Sequence, residues 1–336
     1  MKNNNQHMGM NRREFIRKTI SGCVGVSAGI TGFPSVIHAK TTLRAGYIPI
    51  LDHAVLMVSH ANDNNHFKKT DVIPKLFKFW RSMAGALRAG KIDAAFLLCP
   101  FAMDMFHKGA GIKSVLTAHR NGSAITVGNN TKISSPRDLA GKRIAVPARI
   151  SIHSAMLDRY LRQEGLSLKD VETRVIAPSN MIRALQAEYI DAFIVAEPFC
   201  AKAENTGIGR TLIFSNKIFP DHICCVVAVR NEVLRENPEG IREWIGSLKQ
   251  NGKFIDEDRV NNGAVKSAEI IAKYTRHKTQ DIISGMTGAN DRITYSNLNP
   301  TIDDYRKILD ISQQTGILGD VSLNEFIDDS FSKKIS

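Results

Sequence analysis

The sequence lacks the short motifs that mark the common classes of enzyme. Beyond residue 39 it contains no Gly-x-Ser-x-Gly, no P-loop of the form Gly-x-x-x-x-Gly-Lys-Ser/Thr, no His-Glu-x-x-His and no Gly-x-Gly-x-x-Gly. Its 10 histidines are scattered without the spacing of metal ligands. The pattern therefore predicts a protein that is not an enzyme, with no catalytic residue, no cofactor and no metal site.

Cysteine is scarce and unevenly spaced. Of five cysteines, Cys99, Cys200, Cys224 and Cys225 lie beyond residue 39, and no two of them form a Cys-x-x-Cys pair. The adjacent Cys224 and Cys225 are poorly placed to bridge each other, because the ring that they would close is strained. We expect four buried free thiols and no structural zinc site.

Long apolar runs and dense basic stretches are absent as well. No run of about 18 uncharged apolar residues appears beyond residue 40, so the sequence predicts no membrane span there. The 336 residues are 43% hydrophobic and 23% charged, which suits a soluble chain of two domains. The net charge of +12 is compatible with an anionic ligand, but no basic-aromatic stripe indicates a nucleic-acid partner.

The first 39 residues have the pattern of an export signal. Arg12-Arg13 is followed by a weakly apolar, glycine-rich stretch, and Ala39 precedes a plausible cleavage point. This is a twin-arginine pattern, so we expect export of the folded chain to the periplasm. Cys23 resembles the site of a lipid anchor, an alternative that its short spacing from the arginines disfavours.

The rest of the chain is organised around a stretch that occurs twice. Residues 86–101 and 184–199 align without a gap and share Ala-Leu-x-Ala-x-x-Ile-Asp-Ala and a closing Pro-Phe. Each pattern indicates the end of an amphipathic helix, a turn, and an apolar strand that stops at proline. Such a strand is typical of a parallel sheet covered on both faces. Two similar units predict an α/β protein with two lobes and a ligand between them, at the carboxyl ends of the strands.

The order of the predicted elements also assigns residues to the two lobes. We place the first lobe at residues 40–127 and 222–336 and the second at residues 128–221, each a mostly parallel sheet flanked by helices. Strands at residues 124–127 and 224–229 are expected to cross between the lobes. The helices beyond residue 231 are expected to return to the first lobe and support it.

Polar residues at helix starts and in the turn between the lobes are candidates for ligand binding. Ser151 and His153 stand at a helix N-terminus, where free N–H groups favour an anion, although Ser151 is also suited to cap the helix. Ser179 is expected to cap the next helix. Trp80 offers one indole N–H, and core packing is the alternative. Ser123 offers a hydroxyl in the inter-lobe turn.

Three further candidates carry a structural alternative. Asp52 precedes an apolar helix and fits either an N-cap or a ligand contact. Glu197 and His222 fit either an outer position around the ligand or a contact that bridges the lobes. A carboxylate that faces an anion directly is unfavourable unless it is protonated or paired, which argues for an indirect role of Glu197.

Segments spread over residues 42–330 resemble a known family when they are taken together. They are Gly46–Asp52, Phe79-Trp80 followed by Gly90 and Lys91–Ala95, Asn121–Val127, Ser134–Pro147, His153 with Arg159–Leu161, and Ala196–Phe199. They resemble the periplasmic substrate-binding proteins of the nitrate/sulfonate/bicarbonate ABC importers, and most of all the nitrate- and bicarbonate-binding subclass. The resemblance implies a two-lobe, type II periplasmic binding fold in which Trp80, Ser123 and His153 line an oxyanion pocket.

The sequence departs from the nitrate- and bicarbonate-binding members at two places. Those members often carry glutamine where Ser123 stands, and a His-Pro-Glu-Lys stretch where this chain has His222–Cys225. Loss of that lysine removes a fixed positive charge. The departures leave room for another small oxyanion or an organic ligand.

The resemblance implies a monomeric solute-binding component of an ABC importer. It would capture a small anionic ligand, such as nitrate, nitrite or bicarbonate, and deliver it to a membrane permease. The alternatives are a sulfonate- or pyrimidine-precursor-binding protein, an enzyme of the pyrimidine-precursor synthase type, and a sensor that feeds a regulator. Cys224-Cys225 is a small match to the cysteine cluster of such synthases, and the export signal argues against a biosynthetic role.

Overall fold

Two five-stranded sheets, each flanked by helices, dominate the part of the chain that the structure describes. The structure is a computed structural model that describes residues 40–288 and 292–333. The predicted export signal and Cys23 lie outside the described residues. We call each five-stranded sheet with its flanking helices a lobe.

The sheet of the first lobe has the strand order β2-β1-β3-β11-β4. Its strands are β1 (Thr41–Tyr47), β2 (Thr70–Leu76), β3 (Ala94–Leu98), β4 (Ile112–Thr117) and β11 (Cys225–Arg230). Strand β11 runs antiparallel to both of its neighbours, and the other four strands share one direction.

The sheet of the second lobe repeats this topology, with the order β10-β6-β9-β7-β8. Its strands are β6 (Ser123–Gly128), β7 (Arg143–Val146), β8 (Glu172–Val175), β9 (Ala192–Ala196) and β10 (Gly209–Phe214). Here β6 is the antiparallel strand. In each lobe the antiparallel strand is therefore the one by which the chain enters from the other lobe. A two-stranded ladder pairs β5 (Arg120–Asn121), just before the first crossing, with β12 (Ile293–Thr294), which follows the second crossing in the chain.

Thirteen α-helices are present in the described ranges. They are α1 (Ala54–Asp63), α2 (Trp80–Arg88), α3 (Cys99–His107), α4 (Ile152–Leu161), α5 (Pro178–Gln186), α6 (Phe199–Asn205), α7 (Ser215–Ile218), α8 (Asn231–Glu236), α9 (Pro238–Asn262), α10 (Val265–Thr275), α11 (Thr279–Thr287), α12 (Ile302–Gln314) and α13 (Leu323–Phe326). Within these ranges no helix combines the length and the apolar character that crossing a bilayer requires.

The duplicated stretch forms the central strand of each lobe. Strands β3 and β9 are buried at every position, as their apolar sequences predict. The aspartate that precedes each strand has the same partner in both lobes. Arg44 donates its backbone N–H and its Nε–H to Asp93 Oδ2, both at 2.8 Å. Arg143 makes the same two bonds to Asp191 Oδ2, at 2.8 and 2.9 Å, so the repeated Ile-Asp fixes strand packing and not ligand chemistry.

Proline lies at the start of several helices in this chain, and the cap role expected for Ser179 was wrong for that reason. The repeat strands end before their prolines, and Pro100 lies in the first turn of α3, where a missing N–H is tolerated. Pro198 stands at the N-cap of α6, which the sequence pattern did not predict. Pro178 occupies the first turn of α5, so Ser179 lies inside that helix and does not cap it.

The C-terminal helices contact both lobes, whereas the sequence predicted a return to the first lobe alone. Helix α11 packs against α6 of the second lobe, and Asn205 Nδ2 donates to Asp281 Oδ1 at 2.9 Å. Helix α12 packs against both α3 and α4. The chain therefore links the lobes beyond the two crossing strands.

A glycine in α9 marks a close approach that we expect to be essential for stability. A Cβ at Gly252 would lie 2.3 Å from the carbonyl oxygen of Tyr295. We predict that Gly252→Ala lowers the free energy of unfolding by about 1–3 kcal/mol, because backbone must move to accept the methyl group. Gly85→Ala in α2 is the control: a Cβ there meets nothing within 4 Å, and alanine should stabilise the helix by about 0.5–1 kcal/mol. Equal unfolding midpoints for the two variants would contradict this packing.

Candidate functional site

The loops at the carboxyl ends of the central strands meet between the two sheets. Beyond β1, the N–H of Leu51 donates to the carbonyl of Glu197 at the end of β9 (2.8 Å), and the N–H of Glu197 donates to Gly122 (2.9 Å). The N–H of Asn121 donates to the carbonyl of His222 (2.9 Å). These bonds bring both lobes and both crossing segments to one place, where α/β folds bind their ligands.

Asp52 lies at the centre of this region and is fully buried. Its Oδ2 lies 3.1 Å from His119 Nε2 and accepts the thiol hydrogens of Cys224 (3.4 Å) and Cys225 (3.6 Å). Burial alone would raise the pKa of Asp52, but the neighbouring His119 outweighs burial and the pKa is lowered. Burial likewise opposes the charged form of His119, yet Asp52 raises the pKa of His119 to about 10. Asp52 and His119 therefore form a buried ion pair.

Three more histidines surround this pair, and all three are neutral. Burial lowers the pKa of His53 to about 3, that of His153 to about 4 and that of His222 to about 3. The charges of Asp52 and His119 act on each of the three pKa values, which places these rings around the pair.

Hydrogen bonds fix the tautomers of two of the neutral rings. His53 Nδ1 accepts from the N–H of Ile48 (2.9 Å), so its proton must be on Nε2. His222 Nδ1 lies 2.6 Å from the carbonyl of Phe219, so this nitrogen carries the proton and Nε2 carries a lone pair. The hydroxyl of Ser123 lies 2.9 Å from His153 Nε2, a contact that either tautomer can make.

Several buried polar atoms in this region have no hydrogen-bond partner among the described residues. They are Asp52 Oδ1, His53 Nε2, Trp80 Nε1, His153 Nδ1 and His222 Nε2. The ring of Trp80 lies edge-on to that of His53, with the centroids 6.4 Å apart. Each unpartnered buried group costs about 1–3 kcal/mol. A small polar ligand that bonds to several of them would offset that cost, which is the signature of a binding site.

Glu197 belongs to the boundary between the lobes and not to the histidine cluster. Its carboxylate accepts from Arg292 Nε (2.8 Å) and from the N–H of Ala201 (3.0 Å). Arg292 Nη2 also donates to the same carboxylate. Burial raises the pKa of Glu197 to about 7, although Arg292 favours the ionised form. Of the two roles proposed from sequence, the structure shows the contact between lobes.

The structure brings most of the predicted site residues together. Asp52 and Trp80 come from the first lobe, His153 from the second, and Ser123 and His222 from the crossing segments. Of the two alternatives for Asp52, the N-cap is wrong, because a single 3-10 turn (Leu51–His53) precedes α1 and the carboxylate bonds elsewhere.

The cap role of Ser151 is confirmed. Its hydroxyl accepts from the N–H of Ser154 (3.1 Å) and donates to the carbonyl of Ala148 (2.7 Å). Both hydrogen-bonding functions of the hydroxyl are therefore used within the loop and the first turn of α4.

Sequence reasoning missed His53 and His119 as members of the site. His53 adjoins Asp52, and that adjacency was its only signal. His119 follows β4, whose neighbour in the sheet is β11, with Thr117 opposite Val226. Only the strand order shows that His119 and the two cysteines at the start of β11 come together. All four described cysteines are buried free thiols, as expected.

A cavity of about 420 Å³ lies beside this region. Both lobes line it, with Ile48, Pro49 and Leu76–Phe79 on one side and Ala177–Asn180 and Phe199 on the other. Its walls are mainly apolar side chains, and it adjoins the loop that carries His53.

Comparison with known proteins identifies sequence relatives. A family model described as the NMT1-like family matches residues 38–272. The nitrate import ATP-binding protein NrtC of Synechococcus elongatus is 28% identical over 246 residues, which cover 68% of this chain and 37% of that protein. A candidate binding protein of Brucella abortus is 25% identical over 322 residues, 88% of this chain and 96% of that protein. The chain thus spans well under two thirds of NrtC and nearly all of the Brucella protein.

Solved structures with the same architecture confirm the predicted fold class. The ligand-binding component of an ABC-type import system from Staphylococcus aureus, solved with zinc bound, has a TM-score of 0.79 at 24% identity, covering 88% of this chain and 99% of that chain. The periplasmic nitrate-binding protein NrtA of Synechocystis has a TM-score of 0.78 at 17% identity, covering 88% of each chain. The chain therefore has the mixed α/β fold of periplasmic binding proteins.

The Glu197–Arg292 pair yields a stability prediction. Glu197→Gln leaves the buried Arg292 guanidinium with only Glu204, whose Oε2 lies 3.8 Å from Arg292 Nη2, as a counter-charge, and the guanidinium cannot lose its proton. We expect the free energy of unfolding in urea to fall by about 3 kcal/mol. The control is Glu172→Gln, which removes the partner of Arg174 in an exposed pair and should change stability by less than about 1 kcal/mol. Equal losses in the two variants would show that the buried pair does not hold the lobes together.

Proposed function

The chain belongs to the NMT1-like family, and we propose that it is the solute-binding component of an ABC importer, which captures a small oxyanion between its lobes. The observation that carries the proposal is the set of unpartnered buried atoms drawn from both lobes. A protein that closes over its ligand needs contacts from each lobe, because the ligand then stabilises the closed arrangement.

The available donors suit a small oxyanion. Trp80 Nε1–H and His53 Nε2–H are two donors from the first lobe with their protons fixed in place. His153 comes from the second lobe and stands in the first turn of α4, where the helix dipole also favours negative charge. A buried anion requires nearly complete hydrogen bonding, and these groups provide it from both sides.

The charge balance of the pocket restricts how such a ligand binds. Asp52 and His119 cancel each other, and the remaining histidines are neutral. A monoanion would lack a counter-charge unless a proton accompanies it. We therefore propose that the ligand binds together with one proton, held by the ligand or by a neutral histidine such as His153. This proton would supply the positive charge that a lysine supplies in the nitrate- and bicarbonate-binding proteins that the sequence resembles.

The cellular setting is part of the same proposal. We place the lobes at residues 40–127 and 222–336 and at residues 128–221, with the pocket at their junction. The twin-arginine pattern supports export to the periplasm, and the relationship to NrtC supports a permease and an ATP-binding subunit as partners. The monomer carries both lobes, so the pocket needs no second copy of the chain.

A thermal-shift screen of the purified chain tests the proposal. The panel is nitrate, nitrite, bicarbonate, cyanate, taurine, an alkanesulfonate and pyrimidine precursors. A ligand that binds only the folded state raises the melting temperature by mass action. We expect one small oxyanion to do so, and Trp80→Phe and His153→Gln to weaken its binding about 10- to 100-fold, because each removes one hydrogen bond to a charged ligand.

Two features make the screen specific. Trp244→Phe is the matched control, because Trp244 is also fully buried but packs against Phe96 in the first lobe. The stabilisation should also grow as the pH falls from about 8 to about 6, since a proton enters with the anion. If only a sulfonate or a pyrimidine precursor stabilises the protein, the ligand belongs to that class and is not a small inorganic oxyanion. No response at millimolar concentration would contradict solute binding in this pocket.

A further inference from the structure

We propose that Asp52, His119, Cys224 and Cys225 form a binding site for one divalent metal ion of the zinc class. Each residue offers one ligand atom, all four atoms lie within 4.8 Å of one another, and all four residues are buried. The proposal goes beyond solute binding and does not depend on the identity of the solute. Metal binding would displace the protons of the His119 nitrogen and of the two thiols, so the ion pair of Asp52 and His119 described above belongs to the metal-free chain.

The three separations from Asp52 Oδ2 are close to the edges of a tetrahedral site. With Zn–S bonds of about 2.3 Å and Zn–N or Zn–O bonds of about 2.0 Å, the edges of a tetrahedron are about 3.3–3.8 Å long. Asp52 Oδ2 lies 3.1 Å from His119 Nε2, 3.4 Å from Cys224 Sγ and 3.6 Å from Cys225 Sγ. The remaining separations are at most 4.8 Å, so shifts of up to about 1 Å would place an ion among the four atoms.

The chemistry of the four groups points to a borderline or soft metal. Thiolates select Zn²⁺ over Mg²⁺ and Ca²⁺, which prefer oxygen ligands, and imidazole and carboxylate complete the set that zinc uses. One carboxylate oxygen is shared by an imidazole and two thiols, while Asp52 Oδ1 and His119 Nδ1 have no hydrogen-bond partner among the described residues. A bound cation would neutralise the carboxylate that these groups surround.

The place of the cluster in the fold indicates what the ion would do. Asp52 lies in the turn after β1, His119 lies between β4 and β5, and the cysteines stand at the start of β11. An ion bound here would link the turn after β1 to both segments by which the chain passes between the lobes. We expect it to raise the melting temperature and to slow amide hydrogen exchange in these three segments.

Cobalt substitution of the full chain is the direct test. Because the cluster is buried, the reduced protein is refolded with one equivalent of Co²⁺ and is then passed over a desalting column. We expect one cobalt per chain, with the thiolate-to-cobalt charge-transfer band and the intense d–d bands of a tetrahedral site. Zn²⁺ should displace the cobalt and abolish both bands.

Matched cysteine variants assign the ligands. Cys225→Ser should remove about half of the charge-transfer intensity and weaken cobalt binding more than about 100-fold, since loss of an outer partner alone weakens a metal site 10- to 100-fold. Cys200→Ser is the control, because Cys200 is a buried free thiol that bonds to the carbonyl of Val195, away from the cluster. It should bind cobalt as the unsubstituted chain does.

Three outcomes would overturn the proposal. They are a refolded, reduced chain that binds no cobalt, a cobalt spectrum without thiolate bands, and unchanged bands in Cys225→Ser. A disulfide between the adjacent cysteines in the natively isolated chain, detected by mass spectrometry, would also contradict a resident metal. The solute screen repeated on metal-free and cobalt-loaded chain separates failure of this site from failure of solute binding.

Discussion

The buried ion pair between Asp52 and His119 lies at the centre of the site, and the other groups of the site are arranged around it. A lone carboxylate in this position would be forced towards its neutral form by burial, but the adjacent imidazolium keeps it ionised. Burial, with a smaller contribution from the same imidazolium, lowers the pKa of the neighbouring rings, so His53 and His153 stay neutral well below physiological pH. One charged pair inside a ring of neutral, partly unpartnered nitrogen groups gives a pocket that hydrogen-bonds strongly without carrying net charge. That property suits a ligand that arrives with its own proton.

The fold creates this pocket by duplication. Each lobe places a fully buried central strand beside an antiparallel crossing strand, and an arginine–aspartate pair fixes the start of each central strand in the same way. The carboxyl ends of the two central strands therefore lie near the two crossings. The bond from Leu51 to the carbonyl of Glu197, and the pairing of Glu197 with Arg292, then hold the lobes against each other around the cluster.

Most of the fold could be predicted from sequence, because it depends on local pattern. The repeated Ile-Asp motif and the apolar strands that follow it led to both lobes and to the crossing strands. Contacts made across the fold could not be predicted in this way. His119 lies beside Asp52 only because of the order of the strands in the sheet. Glu197 pairs with Arg292, which is 95 residues away in the sequence. Asp52 contacts the buried cluster, although its position before a helix also fitted a cap. Trp80, Ser123 and His153 were candidates because of their places at helix starts and in the inter-lobe turn, and only the family resemblance assigned the three to one pocket.

The central claim is that Trp80 lies in a ligand pocket shared by both lobes. The chain has two tryptophans, so an ¹H–¹⁵N spectrum contains two indole signals, and Trp80→Phe and Trp244→Phe assign one signal each. We predict that the oxyanion that stabilises the protein shifts the Trp80 indole signal on saturation and leaves that of Trp244 in place, because only the first N–H gains an acceptor. An unmoved Trp80 signal with the ligand demonstrably bound would contradict the account.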